Sequence, residues 1–211
     1  MLPSLNKNIS EFYIPQHHIN SAIEANSLAL NHYALAISGK LCSVDEDINL
    51  AEKRAFLALF PYFGGNGIEL LNSLQNNGIS IYHACKRFRK FSSDDKNITA
   101  RLFARLFKLA GSDEVLNTLE ISFMEKISPM LGLNLNFLEK ALEFYFLKNL
   151  EHNSKTPKHE VRKFYIGQIA KLHPDNFLHS DNLSKRIKST IITLANERTK
   201  LLNENYKNSI A

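Results

Sequence analysis

The chain has 211 residues, of which 44% are hydrophobic and 22% charged, and its net charge is +5. This balance is typical of a globular protein with a sizeable core, in one medium domain or two small ones. The longest apolar run, residues 55–63, contains Pro61 and is far shorter than the ~20 residues of a membrane-spanning helix. The N-terminus lacks the basic start and apolar stretch of a signal peptide, and Cys42 and Cys85 lack CxxC spacing. We therefore expect a soluble cytoplasmic protein without a disulfide or a transmembrane segment.

Positive charge is concentrated in the C-terminal third of the chain. Residues 145–211 hold 12 Lys and Arg against 6 Asp and Glu, a net charge of +6. Residues 1–144 hold the remaining 14 cations and 15 acids, a net charge of −1. A basic C-terminal segment in an otherwise nearly neutral chain predicts an acidic partner, which can be a nucleic acid, an anionic lipid or an acidic protein surface.

Nearly every segment with periodic hydrophobicity has the helical period, and no segment predicts a strand. Capping residues such as Ser92–Asp95 and turn signals such as Asn76-Asn77-Gly78 separate the helices. The helices predicted in the first 150 residues span 20–38, 43–59, 67–75, 80–91, 96–110, 114–131 and 135–150. In the last third, helices over 157–172 and 183–206 flank a loop that contains His173-Pro174-Asp175. The predicted fold class is therefore all-α.

Two stretches of the N-terminal region are similar to each other. Residues 34–41 and residues 106–113 each join an apolar helix end to a glycine turn, and an acidic helix start follows each. This pattern resembles the TerB-like all-helical domain over about residues 20–145, although Ser38 and Ala110 stand where that family has an Asp. The ending of the family pattern matches at Glu120, Phe123, Ile127, Leu131, Gly132, Leu133 and Phe137. We expect a bundle with its own core, including Leu30, Leu59, Leu71, Leu102, Leu106, Phe123, Ile127 and Leu131.

The tripeptide His173-Pro174-Asp175 is the candidate functional motif. Pro174 fixes its own φ and disfavours a helical conformation of His173, so the preceding helix should end there in a stiff loop. Asp175 is then held out as a carboxylate that can accept a bidentate bond from an arginine of a partner. A positive face on the preceding helix would steer it onto an acidic surface. The cations of that face are Arg162, Lys163 and Lys171.

This arrangement resembles a J domain, in which a helix of the form I/V-R-K-x-Y runs directly into His-Pro-Asp. The residues on family positions are Val161, Arg162, Lys163, Tyr165 and Lys171. Leu147 and Leu150 resemble the start of the first J helix, and residues 195–202 resemble the third. A TerB-like domain followed by a C-terminal J domain is the order of DjlA-like proteins. We therefore divide the chain into an N-terminal extension (1–19), a TerB-like domain (20–144) and a J domain (145–211).

The resemblance implies a co-chaperone without a catalytic site of its own. It implies that the loop residues His173, Pro174 and Asp175, together with Arg162, Lys163 and Lys171, dock on a DnaK-type chaperone and stimulate its ATPase. The TerB-like domain would recruit a client that the sequence does not name. The chain has no Gly-rich phosphate loop, nucleophile elbow or paired acid and base on a helix. We accordingly expect no cofactor, no metal and no nucleic-acid partner.

The chain departs from the J-domain pattern at several positions. Ile166 and Gly167 stand where family helices carry more Lys or Arg, and Gln168 takes a core Leu position. Asn176 replaces a basic residue after the loop, and we expect the following Phe177 to be exposed. The remaining departures are Glu151 for a glycine and Arg198-Thr199 for Ala-Tyr. An interaction scaffold with a vestigial J domain is therefore the leading alternative.

Other functions are weaker alternatives. The basic run 86–91, with Tyr82, Phe88 and Phe91, could stack on nucleic acid. Arg101, Arg105 and Lys108 could lie on a membrane, so a peripheral association stays open. We favour ordinary helix packing in both cases. The candidate metal ligands, which we interpret as solvated or structural side chains, are His17, His18, His32, His83, Cys85 and the acidic clusters 45–47 and 113–114.

Overall fold

A computed structural model describes residues 21–44, 50–59, 69, 78–113, 115–148, 150 and 158–210. Within these ranges the regular structure is helical and no strand occurs, so the predicted all-α class is confirmed. The N-terminal extension (1–19) and all but residue 69 of the helix predicted over 67–75 lie outside the described residues. No helix in the described part of the chain combines the length and the apolar character needed to cross a membrane.

The chain divides into two compact units, residues 1–134 and residues 135–211. The helices of the first unit are α1 (Ser21–Leu41), α2 (Leu50–Leu59), α3 (Ile81–Phe91), α4 (Lys96–Ala110) and α5 (Thr118–Met130), with a 3-10 turn at Gly111–Asp113 between the last two. The helices of the second unit are α6 (Leu135–Phe146), α7 (Lys158–Lys171), the short α8 (Asp175–Leu178) and α9 (Lys185–Ile210).

Polar side chains set where the helices of the first unit begin. The N-cap of α4 is Asp95, whose Oδ1 accepts a hydrogen bond from the Asn97 N–H at 2.7 Å, within the predicted cap of residues 92–95. Helix α5 begins four residues later than predicted because Asn117 and Glu120 form a capping box, with N–H···O distances of 2.8 and 2.9 Å.

The core of the first unit lies between α1, α3, α4 and α5, with α2 packed on α4. Of the predicted core residues, Leu102, Leu106, Ile127 and Leu131 are buried, whereas Leu30, Leu59 and Phe123 are partly exposed and Leu71 is outside the described residues. Phe123 lies at the edge of the buried stripe of α5 because Ile121 and Met124 occupy its centre. The apolar period thus predicts buried positions correctly on α4 and at the end of α5, whereas the predicted core residues of α1 and α2 are only partly buried.

The boundary between the two units differs from the one predicted. The sequence placed it after residue 144, and the compact units meet between residues 134 and 135. Helix α6 belongs to the second unit because it packs against α9. The Arg186 guanidinium of α9 also donates two hydrogen bonds to the Glu139 carboxylate of α6, from Nε and from Nη2, each with an N···O distance of 2.7 Å. The helix predicted over 135–150 ends at Phe146, so Leu147 and Leu150, which resemble the start of the first J helix, follow it.

Truncation of Leu106 tests the packing of the first unit. Leu106 is fully buried on α4, so Leu106→Ala should lower the free energy of unfolding by about 2–5 kcal/mol, from lost burial and a residual cavity. Chemical denaturation of this variant against Arg105→Ala, an exposed neighbour on the same helix, measures the difference. A loss of less than about 0.5 kcal/mol for Leu106→Ala, the range of surface changes, would place the stripe outside the core.

His32 on α1 predicts a dependence of stability on pH. Its Nδ1 is buried without a hydrogen-bond partner among the described residues, and burial lowers the pKa of the ring below its ordinary value of 6.5. The unfolded chain therefore binds a proton near pH 6.5 before the folded chain does, so stability is lost as the pH falls through that range. Melting curves of His32→Gln should show less of this loss than the wild type. The same change of melting temperature with pH in the two proteins would contradict the prediction.

Candidate functional site: the His-Pro-Asp loop

The predicted loop forms a tight turn directly after α7. Helix α7 ends at Lys171, one residue before the predicted end, and the next side chain, Leu172, is buried. Pro174 has φ −52° and ψ −36° and leads into α8, which begins at Asp175. Two backbone bonds close the turn, from the N–H groups of Asn176 and Phe177 to the carbonyls of His173 and Pro174, both at 3.0 Å. The turn is therefore closed by its own backbone, and the ring of Pro174 restricts it further.

The carboxylate of Asp175 faces solvent at the tip of this turn. Its side chain is 73% exposed, and the His173 ring lies beside it, at 3.5 Å between Nδ1 and Oδ2. The Asp175 N–H donates to the same Nδ1 at 3.3 Å, so this hydrogen bond holds the ring beside the carboxylate. Asp175 thus keeps free acceptor sites for an external donor such as an arginine.

Two side chains after the motif anchor the loop to the helices. The Asn176 Nδ2 donates to the carbonyl of Ala170 at 3.2 Å, which satisfies one of the unpaired carbonyls at the end of α7. Phe177 is 3% exposed, and its ring lies 5.7 Å from that of Phe146 on α6. The expectation that Phe177 is exposed is therefore wrong, because α8 turns this residue inward. Both departures from the J-domain pattern at this point have a structural role.

Helices α7 and α9 run antiparallel with the loop at one end of α7. Tyr165 faces Tyr206, with ring centroids 5.7 Å apart, and its hydroxyl lies 3.3 Å from the Ser209 Oγ. One turn further along α7, Gln168 faces Arg198 of α9, which lies earlier in that helix. Val161, Tyr165 and Leu172 are buried and Ile169 is partly buried, which places the predicted apolar stripe of α7 inward.

Arg198 joins three helices from within the second unit. It is 3% exposed, and its Nη1 donates to the carbonyls of Phe146 and Lys148 at 2.5 and 2.8 Å, at the end of α6. Its Nη2 donates to the Gln168 Oε1 on α7 at 2.7 Å. Burial lowers the pKa of the Arg198 guanidinium. The cation therefore offsets its loss of hydration with three neutral oxygens, two of them at the negative end of a helix dipole.

In the sequence, Gln168 and Arg198 are two separate departures from the J-domain pattern. In the structure they contact each other, so one accounts for the other. Gln168 is the sequence feature that could have predicted this contact. It lies between Tyr165 and Leu172, toward the inner side of an amphipathic helix. A polar side chain in such a place needs a partner inside the protein. Arg198, which stands where the J-domain pattern has Ala, is long enough to be that partner.

The three predicted cations of α7 do not form one face. Arg162 and Lys163 are exposed near the start of the helix, and Lys171 is its last residue and half-buried. Arg162 and Lys171 are nine residues apart, about two and a half turns, which puts them on opposite sides. Lys171 therefore does not lie on the same side of α7 as Arg162, and the predicted positive face does not include both residues. The spacing of the two residues along a helix is the reason.

Of the other candidate sites, Arg101, Arg105 and Lys108 are exposed together on α4, whereas the remaining ones are not assembled in the described residues. Phe88 is buried and Phe91 stacks on Tyr33 with centroids 5.8 Å apart, so neither is free to stack on a base. Cys42 and Cys85 are buried, and burial raises the pKa of the Cys85 thiol to about 12. No group of three metal-ligating side chains occurs in the part of the chain that is described. The candidate ligands His17, His18, Asp45, Glu46, Asp47 and Glu114 lie outside it.

Comparison with known proteins identifies no relative. No family model matches the chain, and no curated protein or solved structure matches it.

The polar contact between α7 and α9 predicts a strong energetic coupling. Arg198→Met leaves two carbonyls and Gln168 without a donor, so it should lower the free energy of unfolding by about 2–4 kcal/mol. Arg198→Lys should not recover this loss, since an ammonium cannot reproduce the planar fork. Gln168→Leu should be destabilising alone and much less so in the Arg198→Met background, with a coupling of about 1–3 kcal/mol.

The matched control for this double-mutant cycle is Arg186, the exposed arginine of the same helix. Arg186→Met removes the ion pair with Glu139 and should cost far less than Arg198→Met, because exposed ion pairs contribute little. Urea denaturation of the five variants gives all of these values. Additive effects at positions 168 and 198 would show that the contact does not couple the two helices.

Proposed function

We propose that this protein is a J-domain co-chaperone, which docks on a DnaK-type chaperone through the His173-Pro174-Asp175 loop and stimulates ATP hydrolysis by that chaperone. The observation that carries the proposal is the placement of the loop. It stands at the end of an antiparallel helix pair, is closed by backbone hydrogen bonds, and presents an exposed carboxylate. A stiff support with a free charged tip is suited to recognition of a partner, because little conformational entropy is lost on binding.

The chemistry of the loop supports binding rather than catalysis. Asp175 can accept two parallel N–H bonds from an arginine of the chaperone, the strongest form of charge-assisted hydrogen bond. Arg162 and Lys163 are exposed on the helix that leads to the loop, and they would steer it toward an acidic surface. The protein would thus act on the ATPase of its partner and have no catalytic residue itself.

The two units have separate roles in this proposal. The second unit would engage the chaperone, and the first unit, which resembles a TerB-like domain, would recruit a client or another partner. We further propose that both steps take place in the cytoplasm, where DnaK-type chaperones meet new and stressed proteins.

Replacement of Asp175 by asparagine tests the function. Asp175→Asn keeps the size of the side chain and removes its charge, and folding should barely change because the carboxylate is exposed. Stimulation of the ATPase of a DnaK-type chaperone from the same organism should fall to background, since an amide cannot replace a carboxylate in a bidentate bond with arginine. Steady-state ATP hydrolysis with and without each protein is the measurement.

The matched control is Asp181→Asn, which removes another exposed carboxylate a few residues after the loop. It should stimulate as the wild type does. An Asp175→Asn variant as active as the wild type would exclude the loop as the docking site. A wild-type protein that does not stimulate the chaperone would favour a scaffold with a vestigial J domain.

A further inference from the structure

Positive charge is concentrated on two neighbouring helices of the first unit. Residues 81–110, which form α3, α4 and the turn between them, hold eight Lys and Arg against two Asp, a net charge of +6. Residues 1–144 as a whole have a net charge of −1. The neutral average of the first 144 residues therefore contains a strongly basic pair of helices.

Three of these cations form a row on the outward side of α4. Arg101, Arg105 and Lys108 are exposed, and their spacing of four and seven residues places them on one side of the helix. With a rise of 1.5 Å per residue, the row is about 10 Å long. Ala104, which is also exposed on this side, is small, so a surface can approach all three cations together.

No carboxylate of the described residues forms an ion pair with this row. The two acids of residues 81–110 have other partners, since Asp94 pairs with Arg89 at 2.6 Å between Oδ1 and Nη2 and Asp95 caps α4. Asp113 follows the helix, and its carboxylate accepts a hydrogen bond from a backbone N–H at 3.0 Å. The charge of the row can therefore act on an external anion.

The buried side of α4 argues against an anionic membrane as the partner. Leu102, Leu106 and Leu109 lie in the core of the first unit, and α4 exposes no large apolar side chain. A helix that binds in a membrane interface buries an apolar face among the lipids. Because the apolar face of α4 is already covered, charge alone would hold a lipid surface, at about 1 kcal/mol for each cation.

The composition of the row also differs from that of a protein-binding surface. The centre of a protein interface is depleted of charge, and a few aromatic or other anchors in buried pockets supply most of the binding energy. The row consists of three cations and an alanine. A nucleic-acid backbone needs no such anchor, because Lys and Arg bind it by neutralising phosphates and releasing their counterions.

The surroundings of the row favour a duplex over a single strand. Proteins that hold single strands stack the bases on exposed aromatic side chains. The aromatic residues of α4, Phe103 and Phe107, are buried, and the exposed ring of Tyr82 on α3 has the Lys86 Nζ at 5.9 Å from its centroid. A duplex presents its phosphates on the outside and requires no stacking.

We infer that the outward side of α4 binds the phosphate backbone of double-stranded DNA through Arg101, Arg105 and Lys108. Each arginine can donate two parallel N–H bonds to a phosphate, and Lys108 adds a compact charge. The contact is independent of base sequence, because it is made to the backbone. This inference does not depend on the proposed docking of a chaperone, which involves the second unit.

Fluorescence anisotropy of a labelled DNA duplex, titrated with the full-length protein between about 50 and 200 mM salt, tests the inference. The α4 variant combines Arg101→Gln, Arg105→Gln and Lys108→Gln, since Gln is an uncharged residue that favours helices. Its affinity should fall about tenfold or more at the lowest salt. The slope of log K against log salt should become shallower by about 2 to 3, the value for three lost phosphate contacts.

The matched control combines Lys140→Gln, Lys185→Gln and Lys200→Gln, which remove the same charge from exposed positions of the second unit. Its slope should equal that of the wild type, and both variants should unfold at the wild-type temperature because all six positions are exposed. Equal losses of affinity in the two variants would show that net charge alone holds the DNA, and would overturn the inference.

Other results would overturn it as well. A wild-type protein that does not bind the duplex at the lowest salt would exclude a DNA site. Tighter binding of a single strand of the same length would show that bases enter the site. If the wild type binds vesicles of anionic phospholipid or polyglutamate more tightly than the duplex, and the α4 variant loses that binding, the row belongs to a membrane or to an acidic protein.

Discussion

The second unit depends on one buried cation, the guanidinium of Arg198. It is bonded to two carbonyls at the end of α6 and to the side-chain oxygen of Gln168 on α7, and it projects from α9. No carboxylate is among these three acceptors, which are amide oxygens of the backbone and of Gln168. An unpaired buried charge is costly, and each of these bonds therefore has to be made in the folded state. The network consequently fixes α6 and α7 against α9 in a single arrangement, which a purely apolar contact would specify less strictly.

The hydrogen bonds of Arg198 also determine the position of the loop. Gln168 lies one turn before the end of α7, so the bond to Arg198 holds the part of the helix from which the loop leaves. Phe146, whose carbonyl accepts from Arg198, also packs its ring on Phe177 just after the loop. The loop is thus supported from both sides by elements that share one arginine. The exposed Asp175 carboxylate is therefore held in a fixed position, which a directional bidentate bond requires.

Sequence patterns were sufficient for the features that depend on local chemistry. The helix before the loop, its end next to His173, the inward stripe from Val161 to Leu172 and the all-α class all follow from periodicity and from the proline. The patterns failed where residues distant in sequence meet. Arg198 and Gln168 are thirty positions apart, and nothing local reveals that they are partners. The sequence predicts an exposed Phe177 because its contact, Phe146, lies on another helix. It predicts residues 135–144 of α6 in the first unit because α9 covers α6 only after the chain has folded back.

We propose that a DnaK-type chaperone binds the His-Pro-Asp loop and the exposed side of α7 that leads to it. The most direct measurement is the change in amide resonances of the isotope-labelled protein when the unlabelled, ATP-bound chaperone from the same organism is added. The account predicts that broadening and shifts concentrate between residues 162 and 175, at amides of α7 that face away from α9 and at those of the loop. Changes confined to residues 21–134, or no change at a chaperone concentration that saturates ATPase stimulation, would contradict it.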